Sequence, residues 1–124
     1  MYTLDTNASI YYIRDDPKAA PFLQSILDNP DLLVYVSTIT EVELFGYPDL
    51  SDEEANTINT ILQSVSLIPL ESQIARAAGY IRRAYGIKIP DSVVAATALF
   101  TGSTLLTRNV RDFKKISQLS LQAI

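Results

Sequence analysis

Short β-branched or apolar runs alternate with longer stretches of helical spacing along the whole chain. Tyr2 to Asp5 reads as a short strand, followed by helical residues 8 to 14 that Asp15, Asp16 and Pro17 interrupt. A second helical piece covers Lys18 to Leu27. Leu32 to Ser37 is nearly continuous in apolar residues, as expected of a parallel strand buried on both faces. Thr38 to Glu41 has a capping-box pattern that predicts a helix ending near Gly46 and Pro48, and Ser51 to Glu54 repeats it for a helix reaching Gln63. Val65 to Leu70 reads as a third strand.

From Glu71 to Tyr85, Ile74, Ala78, Ile81 and Tyr85 recur at helical spacing, and Gly86 supplies a left-handed stop. A helix from Asp91 to Thr101 ends at Gly102, and Ser103 to Thr107 is a fourth strand. Arg108 to Lys115 is a loop or short helix, and Leu119 to Ile124 a fifth strand at an edge. Strands joined by helical crossovers predict an α/β fold: a mostly parallel central sheet of four to five strands with helices on both faces. No repeat or linker divides the chain, so residues 1–124 read as one domain.

This topology gathers helix N-termini at the edge where strands end, the edge at which doubly wound folds bind ligands. Asp5 falls at the end of the first strand, Glu43 early in the helix after the second, Asp91 at the start of the helix before the fourth, and Asp112 shortly after it. Each has an ordinary alternative. Asp91 can cap its helix, Asp5 can form an Asx-turn, Glu43 can be solvated, and Asp112 can pair with Arg108 or Arg111. An acid directly after a buried strand nevertheless demands a partner, and one shared site explains all four together.

Composition then narrows the chemistry. With no His and no Cys, imidazole bases, thiolate nucleophiles and zinc-type ligation are excluded, and the chain suits a reducing cytoplasm. Clustered carboxylates select a hard cation, Mg²⁺ or Mn²⁺, which suits phosphodiester hydrolysis. Thr6, Asn7, Thr107 and Asn109 beside the acids can orient ligands or waters, and are equally ordinary turn residues. The most apolar stretch, Val93 to Phe100, is far below the roughly 20 residues of a membrane span, and no signal-peptide pattern opens the chain. The expectation is a soluble, cytoplasmic protein.

The net charge of −4 conceals an asymmetry: residues 1–75 hold 12 acids against Arg14 and Lys18, whereas residues 76–124 hold eight basic residues against Asp91 and Asp112. Arg82, Arg83, Lys88, Arg108, Arg111, Lys114 and Lys115 are therefore candidates for a rim that contacts nucleic-acid phosphates, with ordinary helix surface the alternative for Arg82 and Arg83. Tyr11, Tyr12 and Tyr47 can stack on bases, contribute to a dimer interface or pack in the core.

Four segments resemble the PIN-domain ribonucleases, in particular the VapC-type toxins of type II toxin-antitoxin systems. Leu4-Asp5-Thr6-Asn7 resembles the opening motif, Ile39 to Leu44 an I-T-x-x-E-L segment, Pro90 to Ala98 the third acidic motif, and Thr107 to Phe113 a closing T-R-N-x-x-D-F motif. The resemblance implies Asp5, Glu43 and Asp91 as the catalytic, metal-binding acids with Asp112 as the fourth, Asn109 being the alternative nearer the metal. It assigns Glu43 to chemistry and leaves Glu41 to helix capping. It further implies an RNA substrate, cleavage to a 5′-phosphate and a 3′-hydroxyl, homodimerisation and a cognate antitoxin. Two other readings stay open from the residues alone: a module whose acidic pocket accepts a basic residue of a protein partner, and a phosphoacceptor domain using Asp5 as nucleophile.

Overall fold

A computed structural model describes residues 1–124. Five parallel strands, β1 (Tyr2–Leu4), β2 (Val34–Ser37), β3 (Ser66–Ile68), β4 (Thr104–Thr107) and β5 (Leu121–Ala123), form one sheet in the order β3-β2-β1-β4-β5. Seven helices connect them: α1 (Thr6–Ile13), α2 (Ala20–Leu27), α3 (Thr38–Phe45), α4 (Asp52–Gln63), α5 (Ser72–Tyr85), α6 (Ile89–Thr101) and α7 (Val110–Phe113).

Strand alternation feeds two separate cores. In β4, Leu105 enters a cluster with α5 and α6, whereas its neighbour Leu106 enters a cluster with α1 and α2. Adjacent residues of a strand face opposite sides, so one Leu-Leu pair anchors both layers. Helix α6 is buried without interruption from Ser92 to Ala98. Its polar members remain satisfied because Ser92 and Thr97 donate to the carbonyls of Lys88 and Val93 at 2.8 Å each.

The strands are shorter than the apolar runs suggest, since Leu32, Leu33 and Leu70 lie outside the ladder. Gly86 and Gly102 end α5 and α6 with φ of 69° and 63°, and the capping box at Ser51 and Glu54 is formed. The box expected from Thr38 to Glu41 is not. Helix α3 starts one residue earlier, capped by the Ser37 hydroxyl, which accepts from the Ile39 N–H at 3.1 Å. The Thr38 hydroxyl accepts instead from the Leu70 N–H at 3.0 Å and ties α3 to the segment after β3. Helix α1 likewise begins at Thr6, directly after Asp5, rather than at residue 8.

Candidate functional site

An open cleft of about 600 Å³ lies where β1 and β4 end and α1 and α6 begin, closed on one side by the last turn of α3, where Glu43 falls rather than early in its helix. Its walls carry Asp5, Glu43, Asp91 and Asp112 together with Thr6, Asn7, Lys88 and Asn109. Thr107 stands behind Asp5. Two lengths of backbone deliver the deepest acid: β1 is pinned between β2 and β4, and Asp5 is the residue at which that strand becomes helix α1.

Asp5 is 4 % exposed, and both its oxygens are engaged. Oδ1 accepts from the Ala8 N–H at 2.7 Å, the N-cap bond of α1, and Oδ2 accepts from the Thr107 hydroxyl at 2.5 Å. Burial pushes its carboxyl up to about 6, against the pull of those two hydrogen bonds, and the nearby charges of Asp91 and Glu43 raise it further. Asp5 is thus both the helix cap and the most perturbed acid of the cleft.

The second acid is aimed from α3. The Thr6 hydroxyl donates to Glu43 Oε1 at 2.6 Å and lies 3.2 Å from the buried Thr40 hydroxyl, so the first turn of α1 fixes a side chain of the next crossover helix. Gly46 closes α3 at the cleft wall, and a Cβ there would lie 2.8 Å from the Val42 carbonyl oxygen. That close approach requires glycine.

Asp91 is not a helix cap. Pro90 sits in the first turn, and Lys88 occupies the N-cap position without a side-chain cap bond. The helix therefore starts before Asp91, which carries its carboxylate on the first turn inside the cleft. Burial raises its pKa, and so do the charges of Glu43 and Asp112, while Lys88 opposes them.

The outer acid is treated in the opposite way. The Asn109 side-chain amide donates to Asp112 Oδ2 at 3.1 Å, and Arg111 and Lys115 stand 3.5 and 4.0 Å from Oδ1. The Asn109 hydrogen bond first, then these cations, hold Asp112 below the usual carboxylate range. Phe113, fully buried, anchors the four-residue α7 to the α5–α6 core; a side chain of this size contributes about 3 kcal/mol of burial.

Basic residues divide three ways. Lys88 lines the cleft itself, Arg111 and Lys115 surround Asp112, and Lys114 is exposed at the end of α7. Arg82 and Arg83 line a separate shallow notch with Gly79, Gly86 and Ile87, and Arg82 donates to the Ile87 carbonyl at 3.2 Å. Arg108 does not pair with Asp112. It forms a bidentate pair with Asp16, a residue that reads in the sequence only as part of a helix-breaking Asp-Asp-Pro turn. Tyr11 stacks under Arg108, Tyr12 donates to Gln24, and Tyr47 lines the cleft with Arg14 6.0 Å from its ring.

The cleft's donors are all oxygen atoms, apart from Lys88 and the Asn amides, which suits a hard divalent cation. Asp5 and Asp91 are raised in part by neighbouring carboxylates, a repulsion that a cation relieves. The acids stand apart, with no three gathered at the spacing of a shared ion.

A parallel sheet in this order, with an acidic cleft at the strand ends, defines a doubly wound α/β architecture. The model of the PIN domain matches residues 2–119, and the chain belongs to that family. Among its relatives is Ribonuclease VapC19 of Mycobacterium tuberculosis, 28% identical over 124 residues that span 96% of this chain and 97% of the relative. The crystal structure of VapBC2 from Rickettsia felis, bound to a promoter DNA fragment, shares the fold with a TM-score of 0.83 at 23% identity, covering 99% of this chain and 98% of that one. A toxin-antitoxin complex from Klebsiella pneumoniae matches at a TM-score of 0.79 and 26% identity, over 96% and 95% of the two chains.

Proposed function

We propose that this chain, as a single PIN-like unit over residues 1–124, is a divalent-metal-dependent endoribonuclease and the toxin of a type II toxin-antitoxin pair. The observation that carries the reading is the cleft holding Asp5, Glu43, Asp91 and Asp112 at the ends of β1 and β4, in a chain without His or Cys. Relatives named as VapC ribonucleases and solved as toxin-antitoxin complexes support the substrate class and the partner. A homodimer and a cytoplasmic site of action complete the proposal. No helix is long and apolar enough to cross a membrane.

Asp5, Glu43 and Asp91 would hold Mg²⁺ or Mn²⁺, with Asp112 or Asn109 at the outer side. When bound, the ion supplies a water of lowered pKa and neutralises charge on a phosphoryl oxygen. Asp5 is pre-aimed by the Ala8 N–H and the Thr107 hydroxyl, and Glu43 by Thr6. This restricts both carboxylates to one orientation before substrate arrives. With no imidazole in the chain, carboxylates are the groups in the cleft able to take a proton from the attacking water. Lys88 and Arg111, beside Asp91 and Asp112, would meet the phosphates of the strand being cut. Lys114 and Lys115 extend this rim, and Arg82 and Arg83 form an outlying patch.

Purified protein is expected to cleave RNA with Mg²⁺ or Mn²⁺, to stop in EDTA, and to lose activity in Asp5→Asn and Asp91→Asn. Unchanged cleavage in those variants overturns the assignment. The spread of the carboxylates favours one second reading, a PIN-like module that binds RNA or a protein partner with weak or no catalysis. Calorimetric titration with Mn²⁺ separates them, because the module reading expects no heat of binding from the folded protein.

A further inference from the structure

Two consecutive residues at the end of β4 grip both ends of α1. Thr107 bonds Asp5, the cap that starts the helix. Arg108 reaches the other end, where its guanidinium lies 4.0 Å from the ring centroid of Tyr11 and donates to both oxygens of Asp16, at 2.6 and 3.3 Å. Its Nε donates to the Ile124 carbonyl at 2.8 Å, just past β5. All three guanidinium nitrogens are thereby engaged within the fold. Asp16 in turn accepts from the Lys18 and Ala19 N–H groups at 3.1 and 2.8 Å, at the entry to α2.

Helix α1 has eight residues, too few to be stable by itself, so tertiary braces set its position. Between its end and Asp16 stands Asp15 at φ 55°, a left-handed conformation that carries some backbone strain in any non-glycine residue, less in Asp than in most. The Arg108–Asp16 pair lies next to that strained residue. Beyond Arg108 the chain continues to Asn109, whose N–H donates to the Thr107 hydroxyl at 2.9 Å, and then to Asp112.

We infer that Arg108, braced by Asp16 and Tyr11, is a positioning residue that locks α1 to β4 and so keeps Asp5 and Thr6 in register with Asn109 and Asp112 across the cleft. This replaces a phosphate-contacting role for Arg108. Such a contact would have to break three hydrogen bonds and the Tyr11 stack that already engage every nitrogen of the guanidinium. Only the activity readout of the inference rests on the ribonuclease reading.

The test compares Asp16→Asn, Arg108→Lys and Arg108→Ala in the full chain by amide hydrogen exchange and by steady-state RNA cleavage. Asp16→Asn and Arg108→Lys both keep the cation at position 108 while breaking the bidentate geometry, and they also stand in if Arg108→Ala fails to fold. Exchange at the Ala8 and Asn109 amides is expected to accelerate about tenfold, with kcat lowered about 10- to 100-fold, as for loss of a ligand's supporting partner, and KM for RNA little changed. Unchanged exchange at both amides in folded Asp16→Asn and Arg108→Lys overturns the inference. A raised KM with unchanged kcat in Arg108→Ala, rescued by Arg108→Lys, also overturns it and returns Arg108 to phosphate binding. If the wild-type protein cleaves no RNA, the function reading fails and the exchange result alone decides this one.

Discussion

Asp5 and Asp112 face the same cleft from opposite sides, and the protein drives their carboxyls in opposite directions. Asp5 is buried, and desolvation dominates the two hydrogen bonds it accepts, leaving its pKa near 6. Asp112 sits at the rim, where the Asn109 amide and two cations hold it low. The inner acid is therefore a strained, short-of-cation group with fixed geometry, while the outer one is already partly neutralised. An arriving divalent ion gains most from the inner side. This difference orders the effects expected from breaking either side.

The largest effect is expected on activity at the inner side. Asp5→Asn keeps the shape and the cap to Ala8 but removes the charge, and cleavage should fall by more than about 100-fold, beyond the loss typical of a ligand's supporting partners. A smaller loss, measured as kcat/KM on a defined RNA, would place the ion elsewhere.

The same substitution should stabilise the ion-free protein. The raised pKa means that the folded state binds a proton more tightly than the unfolded chain, whose Asp titrates near 3.8. As pH rises from about 4 through about 6, the unfolded chain releases its proton first, and stability falls; above 6 the penalty is complete, at about 3 kcal/mol on an order-of-magnitude basis. Thermal denaturation in EDTA should show melting temperature declining across that window, a decline made shallower in Asp5→Asn, with the raised Asp91 supplying the remainder. Added Mn²⁺ should recover about 2.7 kcal/mol at 100 times its Kd. A wild-type melting temperature flat between pH 4 and 7 would contradict the desolvated state of Asp5.

Next in size is Thr107→Val, which preserves volume but leaves Asp5 Oδ2 and the Asn109 N–H without their shared hydroxyl. An orphaned buried acceptor costs about 1–3 kcal/mol. Asp5 should titrate higher still, so the pH at which activity is half-maximal should move upward. Unchanged stability and an unmoved pH profile would show that the hydroxyl is not what orients Asp5.

The inner side was the more legible of the two in the sequence. Parallel topology follows from alternating strand and helix patterns and carries Asp5, Asp91 and Asp112 to one edge, where strand ends and helix starts coincide, whereas Glu43 reaches it only because α3 is short and Thr6 holds its carboxylate. Cap identities were harder, because capping depends on backbone geometry over a single residue. Ser37 displaced Thr38 as a cap, and Pro90 moved the start of α6 ahead of Asp91. Arg108 shows a further limit. Its partner Asp16 lies 92 residues away, and nothing local distinguishes an arginine committed to a distant turn from one offered to solvent.

The smallest effect is expected at the outer side, and it discriminates Asp112 from Asn109. Asp112→Asn removes a charge that Arg111 and Lys115 already offset, so kcat should fall by less than about tenfold and RNA binding should strengthen slightly as two cations are released toward phosphate. Asn109→Ala removes the amide that holds Asp112 low, so the Asp112 carboxyl should rise toward its ordinary range while its charge at neutral pH is kept. If Asn109 is the group nearer the ion, the ranking inverts: Asn109→Ala then weakens Mn²⁺ affinity more than Asp112→Asn does. Calorimetric titration of both variants beside Asp5→Asn measures this directly, and equal losses in all three would erase the distinction between the two sides of the cleft.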